Sequence, residues 1–441
     1  MQESMLNRVL VVLLTIFVAV SARAKSPEPA PILMTFWAHN QLRYPDDPIP
    51  GSRNRAGAIQ ENSVLRQKLD AINVLAYSFL NVNESGNVYF SEPAVDLSTS
   101  DVLGFCHDHA ASCPNGNAAM AGSFSAFVKL QNRNGTLRKI ISIGGADSQK
   151  TFDRAISHPE TFIQSASAIV RTYRLDGIDL DFEPDAFFTV NDAQPYAHLV
   201  EALRKELGQR AFISVEVPGD RETLRSMNCP NNNTCSANLR TIAANAYVTL
   251  MGYEFHDPYY PGTVTGNDSN LYSSPDEPLL PGFYHGSDNQ AVEYLTYQGV
   301  PPKRIILGFP AYFVAYGGVE GLPRSHGLFQ HFDPSLTPRF DWDIKARGSY
   351  REAQHLLQSG FERQDIRVNG EISAVYAYSA AAKQWISYED SSSVAAKARY
   401  VQARHLAGMQ MWEIGQDVPV DSTTSLLRAA HAVLWNSTPN P

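Results

Sequence analysis

Cysteine is scarce in this chain, with four among 441 residues. Cys106 lies close to Cys113 and Cys229 close to Cys235, so two short-loop disulfides are the simplest arrangement in an oxidising space. Three connectivities remain open. The run Cys106-His107-Asp108-His109 matches no common zinc spacing, and no metal site is expected from it. Long apolar runs are also lacking. The one substantial run, Val9 to Val20, is too short to span a bilayer; with Arg8 before it and Ala22-Arg23-Ala24 after it, it reads as a secretory signal over residues 1–24. No later segment is apolar for long enough to cross a membrane, so the mature chain from Lys25 is expected to be soluble and extracellular, or periplasmic in a bacterium. Positive charge is in deficit. With 36 Lys and Arg against 45 Asp and Glu, the net charge is −9, which argues against nucleic acid or an anionic membrane as partner and is neutral toward an uncharged polysaccharide. There is no internal repeat, no low-complexity linker and no separate C-terminal binding module. No Gly-rich dinucleotide fingerprint follows the first predicted strand, which weakens the case for an open nucleotide-binding sheet.

What is present is strand-like. Short apolar runs recur at Ile32–Trp37, Ile72–Val82, Lys139–Ile143, Gly177–Glu183, Phe212–Pro218, Tyr247–Phe255, Arg304–Tyr312 and Gly408–Ile414. Amphipathic helices lie between them. Phe162, Ala166, Ile169, Val170 and Tyr173 keep helical spacing, as do Tyr196, Leu199, Val200, Leu203 and Leu207. Eight strands alternating with helices predict an α/β fold, the (β/α)8 TIM barrel, as one catalytic domain over 25–441. Residues 314–379, with an amphipathic Tyr350–Gln358, read as a small α+β insertion between strands 7 and 8. The stretch His256–Gly286, rich in Tyr, Pro, Gly and Asn, reads as a substrate-facing loop.

The fourth strand carries the chemistry. In Asp176-Gly177-Ile178-Asp179-Leu180-Asp181-Phe182-Glu183, strict alternation places Asp179, Asp181 and Glu183 on one face. Three neighbouring carboxylates repel, so at least one should hold a proton near neutral pH. Catalytic groups of such barrels sit at the C-terminal strand ends, where Glu183 falls. Glu183, last in the row and nearest the open end, is the best placed of the three to act as a general acid. A Ca²⁺ site is the rival reading of the row, although hard cations usually draw on loop oxygens. Asp176 has the opposite parity and is expected to be structural.

This strand resembles the DGxDxDxE signature of family 18 glycoside hydrolases, the chitinases and their relatives. Ser142-Ile143-Gly144-Gly145 resembles the family's SxGG motif, Met251-Gly252-Tyr253-Glu254 its MxYD motif, and Met409-Gln410-Met411-Trp412-Glu413 its eighth-strand segment. The four motifs occur in the family's order. The resemblance implies a retaining, substrate-assisted glycosidase acting on β-1,4-linked N-acetylglucosamine, with chitin or chito-oligosaccharides as substrate, no cofactor, and a monomeric barrel. It implies Glu183, Asp181, Asp179 and Tyr253 as catalytic residues: Glu183 as acid, Asp181 orienting the acetamido group, Asp179 modulating Asp181, and Tyr253 holding the acetamido carbonyl. It further implies Trp412, Met251, Glu254, Phe79 and Gly145 at the substrate. Core packing is the rival reading for Tyr253 and Trp412, while Phe79, Phe36 and Trp37 could line the cleft or equally be core aromatics. Glu254 stands where the family usually has Asp. An endo-β-N-acetylglucosaminidase, a peptidoglycan hydrolase and a chitinase-like lectin remain as alternatives.

Overall fold

The computed structural model describes residues 30–38, 63–97, 123–183, 190–229, 236–256, 258, 264–278, 286–321, 325–340 and 346–436. The signal-sequence expectation and Cys106, Cys113 and Cys235 lie outside these residues, so the disulfide expectation does too. Among the described residues no helix is long and apolar enough to cross a membrane.

Eight parallel strands close on themselves. They are β1 (Ile32–Ala38), β2 (Val74–Val82), β4 (Arg138–Gly145), β5 (Gly177–Phe182), β6 (Phe212–Pro218), β7 (Tyr247–Met251), β8 (Ile305–Pro310) and β14 (Gly408–Trp412), with β3 (Val88–Phe90) added antiparallel to β2. The sheet closes where β1 pairs with both β14 and β2. All eight sequence-predicted strands are present, and the chain is the expected (β/α)8 barrel.

The strand sequences account for this. Within each strand, one parity faces the helices and the other faces the barrel axis. On β5, Ile178, Leu180 and Phe182 join the outer core, where Phe182 meets Phe152 and Tyr196 edge-on. The helix Pro159–Tyr173 starts on Pro159 at its first turn and stops at Arg174, whose φ of +53° leaves the helical path. It buries Phe162, Ala166, Ile169 and Val170 against β5 and its neighbours. Each of the larger side chains contributes about 1.5–3 kcal/mol on burial. Asp176 then caps the entry to β5, its Oδ2 accepting from the Lys139 backbone N–H at 2.7 Å, a structural role as the parity argument expected. Along the axis, Ile32, Met34, Phe36, Val74, Ala76, Ile140, Phe212 and Ile306 pack an apolar plug, so the polar groups above it sit on a dry floor.

The second sheet grows directly out of the barrel. After Ala311 the chain runs from β8 into β9 (Tyr312–Gly317), and β10 (Arg347–Ser349), β11 (Glu362–Val368), β12 (Glu371–Ser379) and β13 (Gln384–Tyr388) complete an antiparallel sheet in the order β10-β9-β13-β12-β11. The predicted helix Tyr350–Gln358 is present. One face of this sheet presents Tyr312, Tyr316, Tyr376, Tyr378 and Trp385, against which Tyr253 and Trp412 pack. The insertion therefore forms a wall beside the barrel mouth. The described part of the loop after β7 also serves the insertion. Residues 264–271 are buried, and Asp268 and Leu271 donate backbone hydrogen bonds to Ser387 Oγ and the Ser373 carbonyl. This segment joins the two sheets.

Candidate active site

The three carboxyls of the acidic row lie side by side at the C-terminal end of β5. Asp179 is fully buried and held from both neighbouring strands: Ser142 Oγ on β4 donates to Oδ2 at 2.6 Å and Ser214 Oγ on β6 donates to Oδ1 at 2.6 Å. Such bonds favour the ionised form, yet burial outweighs them and pushes the Asp179 carboxyl up to about 7. Asp181 is 3% exposed. Burial, and then the Glu183 and Asp179 charges, push it well above the usual carboxylate range. It shares a hydrogen bond with Glu183, while its Oδ1 has no partner among the described residues. Glu183 is partly exposed, immediately beyond the last residue of β5. Its backbone N–H donates to Ser148 Oγ at 2.7 Å, and its carbonyl accepts from the Ser148 N–H at 3.2 Å. Burial of its carboxyl, with the Glu254 charge next, raises it to about 8. Three carboxyls that cannot all ionise together form a reservoir with a proton available at neutral pH.

Glycine at 144 and 145 lets the strands come this close. Both have left-handed φ, +122° and +93°, and a Cβ on Gly144 would lie 2.0 Å from the Asp181 carbonyl oxygen. At Gly145 a Cβ would lie 2.7 Å from the Phe79 ring. The close approaches at this motif are thus made by the acidic strand and by an aromatic ring of the cleft. Phe79 in turn lies parallel to Trp412, ring centres 5.4 Å apart at 11°, and Phe36 meets Trp412 at 5.2 Å. Both Phe79 and Trp412 are partly exposed, an aromatic platform at the mouth that a sugar ring can stack upon. Trp37 has opposite parity to Phe36 and packs in the outer core with Tyr77 and Phe127.

The third motif begins at the end of β7. The strand stops at Met251, so Tyr253 and Glu254 lie just past it and not on it, as the longer predicted strand had them. Glu254 takes φ +63°, which a continuing strand does not allow. Gly252 is wedged against a buried charge cluster, a Cβ there lying 2.2 Å from Asp288 Oδ1. In that cluster Lys397 Nζ contacts Asp288 Oδ2 at 2.9 Å and Glu389 Oε1 at 2.7 Å and bonds Ser269 Oγ, whose hydroxyl donates to the Gly252 carbonyl. The turn that aims Tyr253 is thereby fixed from behind. Glu254 points outward, exposed, with Arg347 Nη2 of β10 at 3.0 Å from its Oε1. The insertion thus supplies a cation at the edge of the site, from a strand far along the chain.

Two further polar side chains enter the barrel beside these. Glu216 on β6 is 2% exposed and Gln410 on β14 is fully buried. Sequence reasoning missed both. The available signal was parity: Phe212, Ser214 and Glu216 share the axial face of β6, and Gln410 shares that of Trp412.

An acidic row at the mouth of a parallel barrel, one member raised to hold a proton beside an aromatic platform, is the arrangement of a glycosidase acid site. The chain belongs to the glycosyl hydrolases family 18, whose model matches residues 52–417. It is 24% identical over 349 residues to "Chitinase 1" of Aphanocladium album, covering 76% of this chain and 74% of that protein. It is 27% identical over 334 residues to the "Class V chitinase" of Arabidopsis thaliana, covering 73% and 79% respectively. The fold matches that of the Ostrinia furnacalis Group IV chitinase, solved in complex with allosamidin, with a TM-score of 0.71 at 19% identity over 92% of this chain and 99% of that one. The protein is a chitinase-like glycoside hydrolase of this family.

The sign of the pH dependence follows from Glu183. An acid raised to about 8 is protonated below that value and loses its proton above it. We therefore expect kcat/KM to fall about tenfold per pH unit above pH 8. Glu254 is the largest charge contribution to that elevation, so Glu254→Gln should move the alkaline limb to lower pH. An unmoved limb in a pH profile of the variant would remove Glu183 as the group responsible.

Proposed function

We propose that this protein is a secreted retaining glycosidase that hydrolyses β-1,4-linked N-acetylglucosamine polymers by substrate assistance. The observation that carries the reading is Asp181: a buried carboxyl, between Asp179 and Glu183, with one oxygen left without a partner. A polar atom buried in this way costs about 1–3 kcal/mol unless something meets it. The amide N–H of a 2-acetamido group on the sugar would do so.

The steps then run as follows. Glu183 donates its proton to the glycosidic oxygen, and the bond from that oxygen to C1 breaks. The acetamido carbonyl oxygen of the same sugar forms a bond to C1, giving a cationic oxazolinium ring. Asp181, accepting from the N–H, offsets that charge, and Asp179 keeps the proton the two carboxyls share, so that Asp181 carries the negative charge as the cation develops. Tyr253 steadies the acyl carbonyl, with Trp412 and Phe79 beneath the sugar and Met251 and Glu254 at its edges. Water then attacks C1 and passes a proton to Glu183, which returns to its acid form, and the acetamido group is restored. The one other carboxyl buried beside the row among the described residues, Glu216, is unsuited to act as nucleophile. Burial and three neighbouring carboxyls keep it neutral.

A chitobioside and a cellobioside carrying the same fluorogenic leaving group test this. Release from the first alone is expected. Efficient release from the cellobioside, which has no acetamido group, would overturn the substrate-assisted step.

A further inference from the structure

Resting on that reading, the barrel interior points to which group the enzyme accepts on the sugar nitrogen. The pairing of β5 with β6 sets Asp179 opposite Ser214 and Leu180 opposite Val215, so the next step brings Asp181 level with Glu216. Glu216 is itself opposite Thr249 on β7, and Gln410 is opposite Gly308 on β8. A Cβ on Gly308 would lie 2.6 Å from Gln410 Oε1, so the amide lies across β8 toward β7. Among charged groups Glu216 acts most strongly on the Tyr253 phenol, ahead of Asp181, and Gln410 is that phenol's polar neighbour. Glu216 and Gln410 therefore flank the space between Asp181 and Tyr253, where the acyl group is held in the proposed reaction.

Both side chains are buried, with hydrogen-bonding capacity beyond the neighbours they meet. Among the described residues no well-aligned hydrogen bond reaches either oxygen of Glu216 or the oxygen or nitrogen of Gln410. Loose bonds to Asp179 and Thr249 for Glu216, and to the Tyr253 phenol for Gln410, take up only part of their capacity. A pocket built only for the methyl of an acetyl group would be lined by apolar side chains, since unsatisfied polar groups around a methyl are costly. We propose that Glu216 and Gln410 are specificity residues that bind the acyl substituent of the sugar being cleaved, and that they favour an acyl group with a hydroxyl of its own, such as N-glycolyl, over plain N-acetyl. The glycolyl hydroxyl would donate to Gln410 Oε1 and accept from the Glu216 carboxyl.

The test uses two fluorogenic chitobiosides that differ only in the acyl group of the sugar bearing the leaving group, N-acetyl or N-glycolyl. Wild type is expected to favour the glycolyl compound in kcat/KM. Glu216→Ala should lower the glycolyl-to-acetyl ratio about tenfold or more, as loss of a matched hydrogen bond does. Gln410→Met, which nearly keeps side-chain volume, should lower it in the same direction and serves if Glu216→Ala does not fold. A ratio that stays the same in wild type and a folded variant overturns the proposal. If wild type cleaves neither compound, the hydrolytic reading has failed, and acyl selectivity is then read from calorimetric binding of the two unlabelled disaccharides. Equal affinities there overturn this inference on its own account.

Discussion

Glu183→Gln is expected to lower kcat on a fluorogenic chitobioside by about 10²–10⁴-fold, the usual worth of a general acid, while the dissociation constant for a chito-oligosaccharide stays within a few-fold of wild type. Glutamine keeps the size of the side chain and its hydrogen-bonding capacity. It cannot release a proton to a leaving oxygen or take one back from water. The backbone of residue 183 is held by the reciprocal bonds with Ser148 and not by its own carboxyl, so the substitution leaves the end of β5 in place. Removing one of several mutually repelling carboxyls should also ease the others. Carboxyls raised on folding weaken the native state as pH climbs through their folded values, here about 7 for Asp179 and about 8 for Glu183. The variant should therefore melt no lower than wild type at pH 8, and higher if anything. Turnover at the wild-type rate by a folded Glu183→Gln protein would end the assignment of the acid. Loss of binding together with turnover would mean that Glu183 holds substrate and would leave its chemical role unsupported.

The sequence made Glu183 legible because everything that singles it out is local. Alternation places it with Asp179 and Asp181, the barrel strand gives it an end, and Pro184 follows. The eight strands were legible for the same reason, each being a short apolar run whose inner and outer faces differ by one residue. What could not be read was set by distance along the chain. Arg347 reaches Glu254 from 93 positions away, and Lys397 reaches Ser269 from 128. Nothing in the spacing of either pair announces it. Glu216 is a middle case. A single Glu in Phe212–Pro218 looks like the solvent side of a strand unless one notices that Ser214, of equal parity, must face Asp179. The apolar pattern runs on past Leu250 through Tyr253 and Phe255, while the backbone turns at Gly252 and Glu254, where Gly252 packs against the buried Asp288 cluster.

Asp181→Asn should cost as much, by a different route. Its carboxyl is the one group in the row that lies between a structural neighbour and the acid, hydrogen-bonded to Glu183 on one side and open on the other. Asparagine fills the same volume, so the fold should survive. Two things change. An amide carries no negative charge to set against an oxazolinium, and in a buried site a missing charge partner of this kind is worth about 10²–10³ in kcat. An amide is also unable to take up a proton from Asp179 or surrender one, so the three carboxyls cease to act as one titrating unit. The alkaline limb of the pH profile should then steepen toward that of a single acid, with kcat reduced about 10²–10³-fold and KM little altered, because the N–H can still find an amide oxygen. A variant whose loss falls on KM alone would show Asp181 to bind substrate and transition state equally, which a charge-stabilising role does not allow. Retention of kcat would mean that the cation is stabilised elsewhere, and Glu216, level with Asp181 on the neighbouring strand, would be the first group to examine.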